Sequence, residues 1–332
     1  MGDTTFRLAT VSRDGRAPFV LMETGGGSYA LDPLYKAWRQ GRRGDALVGV
    51  SNLQQLLGDW DRNFDLLCEI AAFATAGLAT DDTPVDLACL HFLPPILAPG
   101  KMIYAAANYG DHIREMVAAG TAKNDEERED MLDRDKARVH PYSFLKAPTA
   151  LSGAFDDIVI PSDSDKIDWE VELAMAIGPV TKRISAEKAM DCVAGFMTTN
   201  DVSARSWNMR DDWPTLRTDW FGGKSHDTFA PMGPWFVPRA FVPDHMNLRL
   251  TLKVNGETKQ DGNTGDMVFS PEEQIEFASA MITLEPGDIL STGTPAGVGH
   301  GQGTYLTPGD VVDTEIEGLG AQRNNVVAEA AD

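Results

Sequence analysis

Two glutamates stand two residues apart in the segment Asp168-Trp169-Glu170-Val171-Glu172-Leu173. In an extended chain successive side chains point to opposite faces. Trp169, Val171, Leu173 and Met175 therefore turn one way, and Glu170, Glu172 and Ala174 the other. The two carboxylates share a strand face with Cβ atoms roughly 7 Å apart. That is close enough to converge on one cation, and repulsive without one. The same alternation also describes a half-exposed strand whose polar face meets water. Further along, the apolar run that starts at Cys192 ends in Thr198-Thr199-Asn200-Asp201. Asp201 at such a strand end can add a third oxygen, although Asn-Asp is also common as a turn or a helix cap. Three hard carboxylates with no cysteine or histidine partner suit Mg²⁺, Mn²⁺ or Ca²⁺ rather than zinc, and leave open positions for a substrate.

A second constellation lies in Asn108-Tyr109-Gly110-Asp111-His112-Ile113-Arg114-Glu115. On a short helix the three-residue spacing puts His112 and Glu115 on one face, within hydrogen-bond reach. A carboxylate beside an imidazole fixes its tautomer and raises its basicity, which is how a water-activating base is assembled. An exposed ion pair on a surface helix has the same spacing. Arg205 follows Asp201 by four residues, and Lys224 stands in Phe221-Gly222-Gly223-Lys224, where small neighbours let a cation approach a pocket closely. Both suit a substrate carboxylate or enolate oxygen, and in so acidic a chain both also have surface acids to pair with. The stretch Ser291–Gly299 offers Thr294 and backbone N–H groups in a tight turn, either an anion nest or a plain structural turn. His226 and His300 are too isolated to assign.

The elements that must position these groups are read from periodicity. Residues 6–11 and 17–23 read as two short strands around a Gly-containing turn, and apolar residues recur at helical spacing from Leu53 to Ala76. These form a small N-terminal α+β unit. Three prolines and a glycine between residues 92 and 101 mark a connection, so a boundary falls near Pro99. This divides the chain into an N-terminal α+β domain over 1–98 and a catalytic domain over 99–332. Between Ala118 and Arg138 charges of both signs interleave at helical spacings, as on a surface helix or a lid. Beyond Pro148, short apolar runs broken by Gly, Pro and Asp predict an antiparallel, sheet-rich domain with one longer helix over residues 185–194.

Composition removes several function classes. The 332 residues carry 29 Lys and Arg against 50 Asp and Glu, a net charge of −21, which repels phosphate backbones and anionic lipid. Nucleic acid and membrane are not expected partners. No stretch approaches the ~18 apolar residues of a membrane span, and the N-terminus has no uninterrupted apolar core, so the cytoplasm is the expected location. Three widely spaced cysteines, Cys68, Cys89 and Cys192, suit neither a disulfide framework nor a zinc cluster. Phosphate-binding loops are missing too: Thr218 stands where a P-loop needs its first glycine.

Taken in order, NYGDHIRE, SFLKAPTALSG, DWEVELAMAIG, NDVSAR, FGGKSHDTFAPMGPW, VNGETKQDG and STGTPAGVG resemble the fumarylacetoacetate hydrolase family over roughly residues 99–315. The resemblance implies an α+β, mainly β fold whose catalytic domain is a mixed β-sandwich roll, in a homodimer. It implies Mg²⁺ or Mn²⁺ on Glu170, Glu172 and Asp201, and a catalytic dyad of His112 and Glu115. Lys224 joins the catalytic set, and Arg205, Gln260 and Thr294 match substrate-side positions, with which Tyr109 and Asn208 are counted. One departure concerns the run after Asp201: the family pattern continues S-A-R-D-x-Q, whereas this chain has Ser203-Ala204-Arg205-Ser206-Trp207-Asn208. A shorter amide beside Trp207, Trp213 and Trp220 suggests a reshaped, more aromatic pocket.

The expected activity is hydrolysis of a C–C bond in a 1,3-diketone or acylpyruvate-type 2-oxo acid, with water activated by His112. The same metal-enolate chemistry also serves decarboxylation, hydration or isomerisation of a 2-oxo acid, and the fold does not decide which bond breaks. A non-catalytic ligand-binding member of the fold is the third reading, discriminated by whether a chelator abolishes activity.

Overall fold

The computed structural model describes residues 5–79, 84–119, 140–210, 212, 215–216 and 218–330. Most of the charged stretch between Ala118 and Arg138 lies outside the described residues, as does Trp213.

The expected leading hairpin is present. Strands Phe6–Ser12 and Phe19–Thr24 pair antiparallel with Leu8 opposite Met22, and the turn uses positive φ at Asp14 and Gly15. Strands Gly27–Ala30 and His91–Leu93 complete a four-stranded sheet. The helical periodicity from Leu53 resolves into two helices, Leu53–Leu57 and Trp60–Thr75. Asn52 caps the first by accepting from Gln55 N at 3.2 Å, and the extended-side φ of −137° at Asp59 separates the second.

This N-terminal part is stitched to the remainder. Leu8 and Phe236 exchange both backbone hydrogen bonds, at 2.9 and 2.7 Å. Trp60 meets Phe236 edge-on at 5.3 Å between centroids, and Phe92 meets Trp235 at 5.4 Å. One apolar core therefore runs across the Pro99 connection, from Leu8 and Leu67 to Phe196 and Leu252.

The larger part is mixed and mainly β. In one sheet the order is Tyr142–Leu145, Met102–Ala106, Ile289–Ser291, Val171–Ile177, Val193–Asn200, Ala230–Met232, Leu151–Gly153, with Val237–Pro238 beside Val193–Asn200. A five-stranded sheet runs Glu257–Asn263, Arg249–Val254, Val311–Ile316, Gly320–Ala328, Ile158–Ile160. The antiparallel expectation needs correction, because Ile289–Ser291 with Met102–Ala106, Ala230–Met232 with Leu151–Gly153, and Gly320–Ala328 with Ile158–Ile160 pair parallel. The long helix is also elsewhere. Residues 185–194 hold the short helix Ala186–Ala189, a 3₁₀ turn over Met190–Cys192 and the start of strand Val193–Asn200. The longer helix is Pro271–Met281, started by a capping box between Ser270 and Glu273 with proline in its first turn. No described helix is long and apolar enough to cross a membrane.

Candidate metal centre

Every residue of strand Val171–Ile177 is buried, which removes the reading in which the glutamates face water. Its partner is Val193–Asn200, with Val171 opposite Asn200 and Glu172 opposite Thr199. Just before the strand, Glu170 N donates to Asn200 Oδ1 at 2.9 Å, and Asp201 N donates to Glu170 O at 2.8 Å. The end of the ladder thus seats Glu170 and Asp201 side by side, and the two-residue period brings Glu172 to the same face. One carboxylate oxygen from each of the three lies within 4.8 Å of the others.

Three cations surround this cluster. Lys224 Nζ donates to Glu170 Oε2 at 2.9 Å and to Asp201 Oδ2. Arg205 donates to Glu170 Oε1, which also accepts from Ser203 Oγ at 3.2 Å. Lys146, fully enclosed, donates to Asp201 Oδ1, to Phe229 O, and to Val202 O at 3.2 Å. Glu172 is treated differently: Oε2 accepts from Ser291 Oγ and from Gly293 N at 3.0 Å, while Oε1 has no partner among the described residues.

These placements split the two glutamates. Burial pushes the Glu170 carboxyl up, but Lys224 and then Arg205 outweigh it and hold it at about 2. Burial, followed by repulsion from Asp201 and Glu170, drives Glu172 well above the usual carboxylate range, with Lys224 and Ser291 opposing. For Lys224 burial is outweighed by Asp201 and Glu170, so its ammonium is held above the ordinary value. For Lys146 burial wins over Asp201 and lowers it. A buried carboxylate oxygen without a donor, in a set of three hard oxygens, fits a hard divalent cation such as Mg²⁺ or Mn²⁺.

The helix Gly110–Ala118 carries His112 and Glu115 on one face, as the spacing predicts. His112 lines a small cavity of about 40 Å³ together with Phe144, Glu170, Arg205, Trp220, Lys224 and Thr294. His112 Nδ1 is 3.6 Å from Glu115 Oε2, a close approach beyond hydrogen-bond length, and this nitrogen has no hydrogen-bond partner among the described residues. Glu115 is held by Gly297 N, at 3.1 Å to Oε1 and 2.9 Å to Oε2.

The remaining expected positions separate. Thr294 lines the cavity, and its hydroxyl donates to Val171 O at 2.9 Å. Gln260 requires correction as a substrate contact. It is fully buried, its Oε1 accepts from Val171 N at 3.0 Å, and its Nε2 donates to Thr294 Oγ1 and Pro295 O, both at 2.8 Å. The carboxamide braces the glutamate strand against the 294–295 turn. Tyr109 is buried, its hydroxyl without a partner among the described residues and pushed well up by burial and then by Glu172. Asn208 is buried against Gly223, where an added Cβ on the glycine would come within 2.6 Å of the Asn208 Cβ. The anion nest exists, but the carboxylates it holds belong to the protein: Gly297 N serves Glu115, and Gly299 N serves Asp168.

Two residues in the site had not been singled out. Lys146 lies inside the quoted SFLKAPTALSG block, where a lysine among aromatic and apolar neighbours was the available signal. Asp168, the ion-pair partner of Arg205 at 2.8 Å, shares the parity of Glu170 and Glu172, so alternation could have placed it on the same face.

Residues 101–327 match the family described as fumarylacetoacetate (FAA) hydrolase C-terminal. The chain is 41% identical over 252 residues to the mitochondrial oxaloacetate tautomerase of Bos taurus, covering 75% of this chain and 74% of that protein. It is 35% identical over 294 residues to the 2,4-didehydro-3-deoxy-L-rhamnonate hydrolase of Sphingomonas sp., covering 88% and 95%. Among solved structures it resembles maleylpyruvate hydrolase from Sphingobium sp. SYK-6 in complex with manganese (II) ion and pyruvate. The TM-score there is 0.70 at 26% identity, over 98% of this chain and 100% of that one.

Proposed function

As this chain belongs to the fumarylacetoacetate hydrolase family, we propose that it hydrolyses a C–C bond of a 2,4-dioxo acid, releasing a 2-oxo acid and a carboxylic acid. The observation that carries this reading is the meeting of His112, Glu170, Arg205 and Lys224 in one small, largely buried cavity. A base and a cluster of fixed charges there reach the same substrate atoms.

Glu170, Glu172 and Asp201 would hold a Mg²⁺ or Mn²⁺ ion. Such an ion supplies Lewis-acid stabilisation of negative charge on an enolate oxygen. His112, kept near Glu115, takes a proton from water. The resulting hydroxide adds to the distal carbonyl carbon, and collapse of that adduct breaks the C–C bond, its electron pair passing into the enolate of the 2-oxo acid. The proton on the His112 imidazole then returns to the enolate carbon, so the sum is substrate plus one water. Lys224 and Arg205 place donors and positive charge beside the positions where oxyanions develop, and Thr294 shapes the cavity wall. The assembly that follows from the family is a homodimer, tested by light scattering.

The test is product analysis with a panel of acylpyruvates in ¹⁸O-water with Mg²⁺ or Mn²⁺. The expected result is one ¹⁸O in the released carboxylic acid. His112→Ala should lower kcat by about 10²–10⁴-fold with Mn²⁺ binding retained, and full activity in this variant defeats the role given to His112.

The likeness to oxaloacetate tautomerases at 40–41% identity favours a second reading, keto–enol interconversion of an oxaloacetate-like acid. It predicts accelerated loss of enol absorbance with no cleavage of any dioxo acid.

A further inference from the structure

Asp168 is fully buried, and both of its carboxylate oxygens accept hydrogen bonds. Oδ1 accepts from Trp169 N at 2.8 Å and Gly299 N at 2.6 Å. Oδ2 accepts from His300 N at 3.2 Å and Arg205 Nε at 2.8 Å. Arg205 reaches Glu170 with the same guanidinium. The turn that donates to Asp168 also donates to Glu115 through Gly297 N. Its glycines are required for that approach. A Cβ at Gly299 would come within 2.8 Å of Asp168 Oδ1 and 2.3 Å of Thr304 O, and a Cβ at Gly301 within 2.4 Å of the Glu115 side chain. One carboxylate thus fixes both the guanidinium that shares Glu170 and the turn that holds Glu115.

We propose that Asp168 is a positioning residue that divides the charge of Arg205 between itself and Glu170, and so leaves Glu170 free enough to serve as a metal ligand. Arg205 bridges two acids because its planar fork presents donors in two directions. Without the negative charge at position 168, the guanidinium pairs with Glu170 alone and competes with a cation for it. In Asp168→Asn the amide oxygen still accepts from Gly299 N, while the amide nitrogen meets the Arg205 donors and His300 N. The inference rests on the reading of Glu170 as a metal ligand under the proposed function.

Mn²⁺ binding, followed by electron paramagnetic resonance without any turnover, tests it. The proteins are wild type, Asp168→Asn, Arg205→Gln and the double variant. Loss of an outer partner of a metal ligand weakens affinity by about 10–100-fold, so Asp168→Asn should raise the Mn²⁺ Kd by that factor in the wild-type background. In the Arg205→Gln background it should change Kd by less than about threefold, because its effect runs through Arg205. An equal loss in both backgrounds, or an unchanged Kd, overturns the proposal. If Asp168→Asn does not fold, Asp168→Ser replaces it in the cycle; failure of both by circular dichroism makes Asp168 a structural residue and also overturns it. A wild-type protein that binds Mn²⁺ but cleaves no dioxo acid refutes the proposed reaction, and the Mn²⁺ cycle still decides Asp168.

Discussion

Replacing Lys146 with methionine separates stability from metal affinity, because the same ammonium supports Asp201 and repels a cation. Lys146 Nζ is enclosed, donates to Asp201 Oδ1, Val202 O and Phe229 O, and lies 5.1 Å from the centroid of the Tyr104 ring. Methionine keeps most of the volume and removes the charge. Breaking one partner of a buried ion pair costs about 3–5 kcal/mol, since the remaining carboxylate stays buried. Lys224 still serves Asp201, which places the loss toward the lower figure. With an unfolding entropy of about 2.1 cal/mol/K per residue, the 332 residues give about 0.7 kcal/mol per degree, and Tm should fall by about 4–7 °C in chelator. Affinity moves the other way: removing a positive charge next to a ligand favours a dication, and about tenfold tighter Mn²⁺ binding corresponds to about 1.4 kcal/mol, a modest fraction of the Coulomb interaction at such range. Differential scanning fluorimetry with and without Mn²⁺, together with a Mn²⁺ titration, reads both quantities. An unchanged Tm, or Mn²⁺ affinity that falls along with stability, would refute the reasoning.

Other consequences follow from the same geometry. Because burial and its acidic neighbours hold the Glu172 carboxyl high, its ligation by a divalent cation should expel a proton; weakly buffered titration with Mg²⁺ should acidify the solution, and Glu172→Gln should abolish that release. Gln260→Leu strands Val171 N and Pro295 O in the interior, at about 1–3 kcal/mol for each unpaired group, so Tm should drop while KM stays near wild type; a KM effect with unchanged Tm would restore Gln260 as a substrate contact. Away from the site, the hydrogen bond with His245, against an opposing desolvation, holds Glu272 at about 2 instead of 4.5. A depressed carboxyl stabilises the fold above its unfolded pKa and loses that contribution as pH falls through the folded one. Acid titration of stability between about 4.5 and about 2 should therefore be shallower in Glu272→Gln, by about 1 kcal/mol after solvent screening, and identical acid limbs would contradict the pairing.

The sequence was most legible where a short period sufficed. Alternation alone put Glu170 and Glu172 on one face, and the strand end put Asp201 beside them, as the register with Val193–Asn200 shows. The i,i+3 spacing likewise put His112 and Glu115 together. What it hid were long-range consequences of topology. Gln260 is expected on the substrate side from the resemblance alone, and the fold brings it against Val171, 89 residues away in sequence. Lys146 reaches Asp201 across 55 residues and Val202 across 56, separations that no local pattern encodes. The helix expected at 185–194 has a local cause: its apolar spacing continues into the strand Val193–Asn200, while Ser270-Pro271-Glu272-Glu273 carries the stronger start signal.

Burying this many charges is costly unless they offset one another, and the offset is informative. Around the cavity the described residues set the carboxylates of Asp168, Glu170, Glu172 and Asp201 against Lys146, Lys224 and Arg205. With every group ionised the cluster carries one net negative charge, and with Glu172 protonated, the direction in which burial and its acidic neighbours drive it, the cluster is neutral. A divalent cation that displaces the Glu172 proton leaves one positive charge, and the carboxylate of a 2-oxo acid cancels it. A site built only to brace the fold would leave no buried carboxylate oxygen without a partner, whereas among the described residues Glu172 Oε1 is such an atom. The cluster is therefore balanced for a ternary arrangement of protein, hard dication and monoanion. Each partner lowers the cost of burying the others, so cation and oxo acid should bind with mutual reinforcement.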